Sequence, residues 1–223
     1  MTPRELVATA RVPGGAELFL YRRGADFAIT LDRNELMSSR VGGSEEALAT
    51  LPLQRLGAPP TPRLLIGGYG MGFTLRAALA KLGPGARITV AELVPEILDW
   101  ARGPMAALTA GCLDDPRVTV AQADVADLIA APGARYDAIL LDVDNGPDGV
   151  VRDANDRLYT ARGLDIARRA LKPGGVLAVG SAGDDAAFTR RLKDAGFAVD
   201  QVAVRARRNG KGPRHVIWFA RNR

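Results

Sequence analysis

Four places in the sequence carry residues whose types and spacing suit chemistry. The first is the run Ile66-Gly67-Gly68-Tyr69-Gly70-Met71-Gly72. Glycines there let a backbone approach a ligand closely, and N–H groups exposed at a helix start favour an anionic or polar group. A dinucleotide fingerprint needs G-x-G-x-x-G, and Phe73 stands where its third glycine belongs, so the pattern speaks against NAD. The second is Glu92, a carboxylate expected at the end of the next strand, placed to accept hydrogen bonds from both hydroxyls of a ribose across the glycine turn. The third is Asp124 in Gln122-Ala123-Asp124-Val125, where a carboxylate could receive an adenine amino group or cap a helix, or do both. The fourth is Asp142-Val143-Asp144-Asn145-Gly146-Pro147, which follows the apolar run Ala138-Ile139-Leu140-Leu141. Two carboxylates at the end of a central strand sit where open α/β sheets bind ligands. Asp142 and Asp144 would hold, orient or deprotonate a nucleophilic amine, in either division of roles. The plainer readings are a packing turn for the glycines, a surface glutamate, and an Asp-rich turn satisfied by its own backbone.

The elements that must position these residues follow from the apolar pattern. Residues 63–66, 87–92, 118–122, 138–142 and 175–180 read as strands, and 73–82, 95–107, 163–171 and 184–195 as helices. Strands spaced by helices imply right-handed crossovers and a mostly parallel, Rossmann-like sheet between helical layers. Runs at 199–206 and 214–220 flank Asn209-Gly210, a tight-turn signal, so the sheet should finish as an antiparallel hairpin. Ahead of this lies a smaller unit. Residues 17–31 read as a β-hairpin, Ser44-Glu45-Glu46-Ala47-Leu48 as a capped helix start, and 57–62, rich in proline, as a boundary. The expected division is therefore 1–58 and 59–223.

Composition narrows the function classes. At 223 residues with 47% hydrophobic and 25% charged residues, the chain reads as folded and globular rather than disordered. No apolar run reaches the ~18 residues of a membrane span, and the polar start Met1-Thr2-Pro3-Arg4-Glu5 is unlike a secretory leader, so a cytoplasmic protein is expected. One cysteine, Cys112, and one histidine, His215, speak against structural zinc and against a Ser-His-Asp triad, and no metal is expected. Cys112 has no evident activator nearby, and His215 on the last strand reads as a packed side chain. The formal charge of +5 favours anionic ligands, and Arg205, Arg207, Arg208, Lys211 and Arg214 gather at the C-terminal turn. They would suit an RNA backbone, or simply a solvated turn. Aromatics at 5% are too few for a stacking ladder.

Taken together, the residues resemble the spermidine synthase-like branch of the class I S-adenosylmethionine-dependent methyltransferase superfamily. The likeness is carried, in order, by Glu45-Glu46-Ala47-Leu48 before Leu51-Pro52-Leu53, Leu65-Ile66-Gly67-Gly68 with Thr74-Leu75-Arg76, Ala91-Glu92-Leu93, and Leu141-Asp142-Val143-Asp144. Leu158-Tyr159-Thr160 and Leu171-Lys172-Pro173-Gly174-Gly175-Val176-Leu177 complete it. The resemblance implies a donor site for S-adenosylmethionine or its decarboxylated form, a small-molecule amine acceptor, and a homodimer supported by the N-terminal β-unit. By the same likeness Glu92 binds ribose, Asp124 contacts adenine, and Asp142 is the catalytic aspartate. Gly68, Tyr69, Gly70, Gly72 and also Asp142 would line the donor, with Tyr69 and Met71 toward its methionine end or plugging the core.

The chain departs from that pattern at several positions. Gly70 stands where the family's glycine loop carries an aspartate, Ser44-Glu45-Glu46 where Tyr-His-Glu is usual, Leu36 near a usual glutamine, and Asn145 at a second aspartate. The turn approaches the Gly-x-Gly-x-Gly of ordinary methyltransferases, yet it opens on Ile66 rather than an acidic residue. The sequence therefore predicts transfer of an alkyl group, aminopropyl or methyl, to an amine. A methyltransferase acting on a small molecule or on RNA is the first alternative, and a non-catalytic, nucleoside-binding dimer the second.

Overall fold

The computed structural model describes residues 3–32, 34–57, 59–142, 156–207 and 209–223. Short β-type runs at the amino end form an antiparallel four-stranded sheet in the order β1-β2-β3-β4, from β1 (Glu5–Arg11), β2 (Glu17–Arg23), β3 (Asp26–Leu31) and β4 (Asn34–Ser38). The expected hairpin is β2 and β3. The outer strands carry little local signal, because β1, with Leu6 half exposed, and β4 show only weak alternation. Helix α1 (Gly43–Arg55) follows.

Beyond the proline-rich stretch, apolar runs and helices alternate. They give β5 (Arg63–Gly67), α2 (Phe73–Lys81), β6 (Arg87–Glu92), α3 (Pro95–Arg102), α4 (Ala106–Thr109), β7 (Val118–Gln122), α5 (Val125–Ala130) and β8 (Tyr136–Leu141). Then come α6 (Asp156–Tyr159), α7 (Ala161–Ala170), β9 (Leu171–Ser181), α8 (Ala186–Asp194), β10 (Ala198–Arg205) and β11 (Arg214–Arg221). The seven later strands form one sheet in the order β10-β11-β9-β8-β5-β6-β7. Pairing is parallel from β9 across to β7, and β11 is antiparallel to both β9 and β10, the expected terminal hairpin.

Residues alternate between the two faces of this sheet. Leu64, Ile66, Val90, Leu140 and Ala178 join one core, which also contains Leu18, Leu20 and Ile29 of the N-terminal sheet. Leu65, Ala91, Ile139, Leu141 and Val179 join the other, with α7, α8 and Trp218. Strands buried on both faces read as continuous apolar runs, which is why they stood out. Phe188 packs edge-on against both Tyr159 and Trp218, locking α6, α8 and β11 together.

Two expectations need correction. A single helix over 95–107 is instead α3 and α4, separated at Gly103-Pro104, where proline cannot continue the hydrogen-bond ladder. Ser44 does not cap α1: the N-cap is Gly42, without a side-chain cap, and the Ser44 hydroxyl donates to Glu45 at 2.7 Å.

The start of α1 is held unusually close to its neighbours. A Cβ on Gly42 would lie 2.8 Å from the Phe73 ring, and one on Gly43 would lie 2.9 Å from the Arg207 backbone and 3.0 Å from the Arg205 carbonyl oxygen. The Gly43 amide also donates to the Ala206 carbonyl at 2.8 Å. These two glycines let the first turn of α1 wedge between the start of α2 and the end of β10, beside the carboxyl edge of the sheet. Helix propensity alone makes Gly→Ala worth about 1 kcal/mol of added stability. We expect Gly43→Ala to lower the melting temperature instead, because the clash is with backbone; a higher melting temperature by calorimetry would refute this close packing.

Candidate active site

The sheet changes winding direction between β5 and β8. From β5 the chain proceeds to β6 and β7 on one side, and β8 and β9 fill the other. Open α/β sheets form a crevice at such a switch, outside the carboxyl ends of the strands. The glycine turn leaves β5 here and Asp142 leaves β8. They are tied directly, since the Asp142 amide donates to the Gly67 carbonyl at 3.3 Å.

The turn needs its glycines for two separable reasons. Gly68, Gly70 and Gly72 have φ of 84°, 55° and 75°, in the left-handed region that strains other residues. Space is also short: a Cβ on Gly70 would sit 2.7 Å from Met37 Sδ, and one on Gly72 would sit 2.7 Å from the Tyr69 hydroxyl. Met37 belongs to β4, so the N-terminal sheet supplies a wall of the crevice. Gly72 is the N-cap of α2 and no side chain caps that helix.

Glu92 is buried at the end of β6. Its Oε2 accepts from the Tyr69 amide at 2.9 Å and its Oε1 from the Val94 amide at 2.9 Å. Burial raises its pKa, and these backbone donors oppose the rise. The carboxylate thus clamps the glycine turn to the loop after β6. The Gly70 and Leu93 amides also help to hold its charged form.

Asp124 caps α5, with Oδ1 accepting from the Ala126 amide at 2.9 Å. Its Oδ2 pairs with Arg157 at 2.9 Å. It stands at the carboxyl edge beside Glu92, although it lines neither of the cavities described below. Tyr69 turns its ring into the core, where its hydroxyl and Cys112 Sγ are hydrogen-bonded at 3.4 Å. Burial raises the Cys112 pKa, so the thiol is a poor nucleophile.

Asp142 sits between two narrow cavities. One is lined by Met37, Glu45, Gly68, Tyr69, Gly70, Met71, Phe73, Thr74 and Asp142, the other by Ser44, Leu48, Asp142, Gly180, Ser181, Ala182, His215, Val216 and Ile217. Each encloses about 20 Å³. Burial, and then the charge of Glu45, push the Asp142 carboxyl from its ordinary 3.8 up to about 7. A carboxyl in that range can exchange a proton at neutral pH. Asp144, its expected companion, lies outside the described residues.

Three contributors were not picked out as site residues by their sequence context: Ser44, Glu45 and His215. Glu45 reads as an ordinary acid in a helix first turn, and only the wedge at Gly42-Gly43 reveals where that turn goes. The local pattern of His215 is that of a packed or half-exposed side chain on the last strand. The register Val216↔Ser181 shows that β11 begins at the edge where β9 ends, so His215 enters the second cavity. An antiparallel final strand carries that information, since its start must return to the carboxyl edge. Burial lowers the His215 pKa, which favours the neutral ring.

A sequence model of the spermine/spermidine synthase domain matches residues 43–190. The chain belongs to this family. Among curated spermine/spermidine synthase relatives, it is 33% identical over 199 residues to a polyamine aminopropyltransferase of Mycobacterium tuberculosis, covering 84% of this chain and 36% of that protein. It is 35% identical over 135 residues to putrescine N-methyltransferase 4 of Nicotiana tabacum, covering 59% of this chain and 32% of that one. The chain spans about a third of the length of the curated relatives it matches. Among solved structures it is similar to a spermidine synthase bound to the transition-state analogue AdoDATO. The TM-score is 0.75 at 19% identity, over 98% of this chain and 72% of that one. A spermidine synthase of Thermotoga maritima matches equally, with a TM-score of 0.75 at 19% identity over 98% and 73% of the two chains. These structures establish the spermidine synthase fold. Among the described residues, no helix is long and apolar enough to cross a membrane.

The elevated Asp142 pKa has a consequence for stability. Because the folded protein binds this proton more tightly than the unfolded chain, the stabilisation is complete below pH 3.8 and is lost as pH rises to about 7. Asp142→Asn removes the titrating group. Its melting temperature should rise relative to the parent between pH 5 and pH 8 and level off above, at roughly 2–4 °C per kcal/mol. A difference independent of pH would contradict the elevated pKa.

Proposed function

We propose that the chain binds an adenosyl-sulfonium donor, S-adenosylmethionine or its decarboxylated form, and transfers an aminopropyl or methyl group to a small amine. The observation that carries this reading is the position of the Asp142 carboxyl. It lies between a cavity walled by the glycine turn and a second cavity opening toward Ser181 and His215.

The residues fit such a donor. Glycines without Cβ atoms let the backbone of 68–72 approach it, Glu92 presents a carboxylate for ribose hydroxyls at the end of β6, and Asp124 stands at the edge where an adenine amino group would reach. Met37, Met71 and Phe73 offer apolar contact around the sulfur end. When bound, the donor supplies a carbon already activated by its positive sulfur.

The protein's task is then alignment and proton removal. Holding the amine nitrogen about 3–3.5 Å from that carbon and in line with the carbon–sulfur bond supplies several kcal/mol. Asp142 takes one proton from the arriving ammonium. The nitrogen then bonds to the carbon as the carbon–sulfur bond breaks, its electron pair staying on sulfur. The product is a secondary ammonium ion, and the proton on Asp142 leaves to solvent.

Methyl transfer is supported by two observations: Gly70 puts no carboxylate in the turn, and one relative is named a putrescine N-methyltransferase. The family likeness supports a homodimer working in the cytoplasm on a small amine, with RNA the lesser acceptor. Asp144 remains the proposed companion of Asp142.

The test is turnover with 1,4-diaminobutane and each donor, with the released nucleoside identified. Methylthioadenosine marks aminopropyl transfer and S-adenosylhomocysteine marks methyl transfer. Asp142→Asn should lose about 100-fold or more in turnover while donor affinity stays within a few-fold. Loss of donor binding in that variant would move Asp142 into the donor's own shell. Glu92→Gln should weaken the donor by about tenfold to a hundredfold. Tight donor binding by the parent with no turnover on any amine would leave a nucleoside-binding protein.

A further inference from the structure

Glu45 is an acid that its own helix does not account for. At the first turn of α1 it has the favourable end of a helix dipole, an effect that is small at a surface. It is not at the open surface, however. Its side chain shares the cavity beside the glycine turn with Asp142, it accepts from the Ser44 hydroxyl at 2.7 Å, and Thr74 Oγ1 donates to its carbonyl at 3.2 Å. Burial raises its pKa, as does the charge of Glu46 on the same turn.

The charged and titratable groups around this pair are therefore Glu46 from α1, Asp142 from β8, Tyr69 from the glycine turn and His215 from β11. Among the described residues, no lysine or arginine lines either cavity, and neither Glu45 nor Asp142 forms an ion pair. Two carboxyls confined together without a protein cation disfavour each other's ionised form. A ligand that brings a positive charge between them removes that penalty on binding, and a neutral ligand does not.

Resting on the reading of the site as an amine alkyltransferase, we propose that Glu45 is the second carboxylate of the acceptor seat, holding the substrate ammonium together with Asp142 and selecting cationic amines over neutral nucleophiles. Glu45 keeps its negative charge beside the nitrogen while Asp142 takes the single proton that must leave. One carboxylate holds and the other accepts. The arrangement also opposes premature ionisation of Asp142, which keeps the proton acceptor matched to neutral pH.

The experiment compares parent, Glu45→Gln and Glu45→Asp in three measurements. The first is calorimetric titration with 1,4-diaminobutane and with the neutral 1-butanol. The parent should prefer the diamine, and Glu45→Gln should weaken it about tenfold or more, with 1-butanol unchanged and Glu45→Asp partly restoring affinity. The second is donor titration, which should stay within about twofold in every variant. The third is the carboxyl titration of Asp142 by carbon NMR, where Glu45→Gln should move the midpoint to lower pH because a like charge has been removed.

Unchanged diamine affinity in Glu45→Gln overturns the proposal, as does an unmoved Asp142 titration. Failure of the parent to bind diamine while it binds a donor overturns the seat and leaves the donor site standing. Failure of the parent to bind either donor overturns the alkyltransferase reading instead, and the Asp142 titration still decides whether the two carboxyls are coupled.

Discussion

The pairing of β5 with β8 through Gly67 is the constraint on which the site depends. Gly67 lies opposite Leu141 in the parallel ladder, its carbonyl accepts the Asp142 amide at 3.3 Å, and a Cβ there would come within 2.9 Å of both Leu141 and Val125. With no side chain at this point, the two central strands and the start of α5 converge. The glycine turn and Asp142 therefore emerge side by side, at the one place where the order of strands reverses. Glu92 then fixes the turn from the other side by accepting from the Tyr69 amide. The turn is thus tied to Glu92 on one side and to the Asp142 strand on the other.

Around that junction the protein concentrates acid, and among the described residues no lysine or arginine lines either cavity. Glu92, Glu45 and Asp142 all have their pKa values raised chiefly by burial. Groups of this kind cost the folded protein stability at neutral pH, and they persist where a ligand or a proton transfer uses them. Glu92 offsets part of its cost with backbone donors. Asp142 has Glu45 nearby, whose charge adds to the cost. An ammonium ion is the chemical complement of that arrangement, and the second cavity adds the polar side chains of Ser44, Ser181 and the neutral-leaning His215.

Much of this was legible in the residues. Parallel strands buried on both faces appear as apolar runs, so β5, β6, β8 and β9 could be placed within a few residues, while edge strand β7 and the terminal hairpin follow from β-branched residues and the Asn209-Gly210 turn. Glu92 and Asp142 follow from their positions at strand ends. What was not legible depends on long-range packing. The wedge of α1 is set by Gly42 against Phe73 and Gly43 against the 205–207 backbone, and no local pattern signals either contact. The same holds for Met37, which reaches the glycine turn from the N-terminal sheet, and for His215, which the β11 register returns to the carboxyl edge of the sheet. Local sequence gives element and position, whereas the cavity-facing role of Glu45 emerges only when two distant segments meet.

The most direct test of the account is calorimetric titration of the purified protein with S-adenosylmethionine and, separately, with its decarboxylated form, using NAD as control. The account predicts saturable, one-to-one binding of at least one of the two donors and none of NAD. Preference for the decarboxylated donor would favour aminopropyl transfer, and preference for the carboxylated donor would favour methyl transfer. Binding of neither donor would contradict the assignment of the β5–β8 crevice as an adenosyl-sulfonium site.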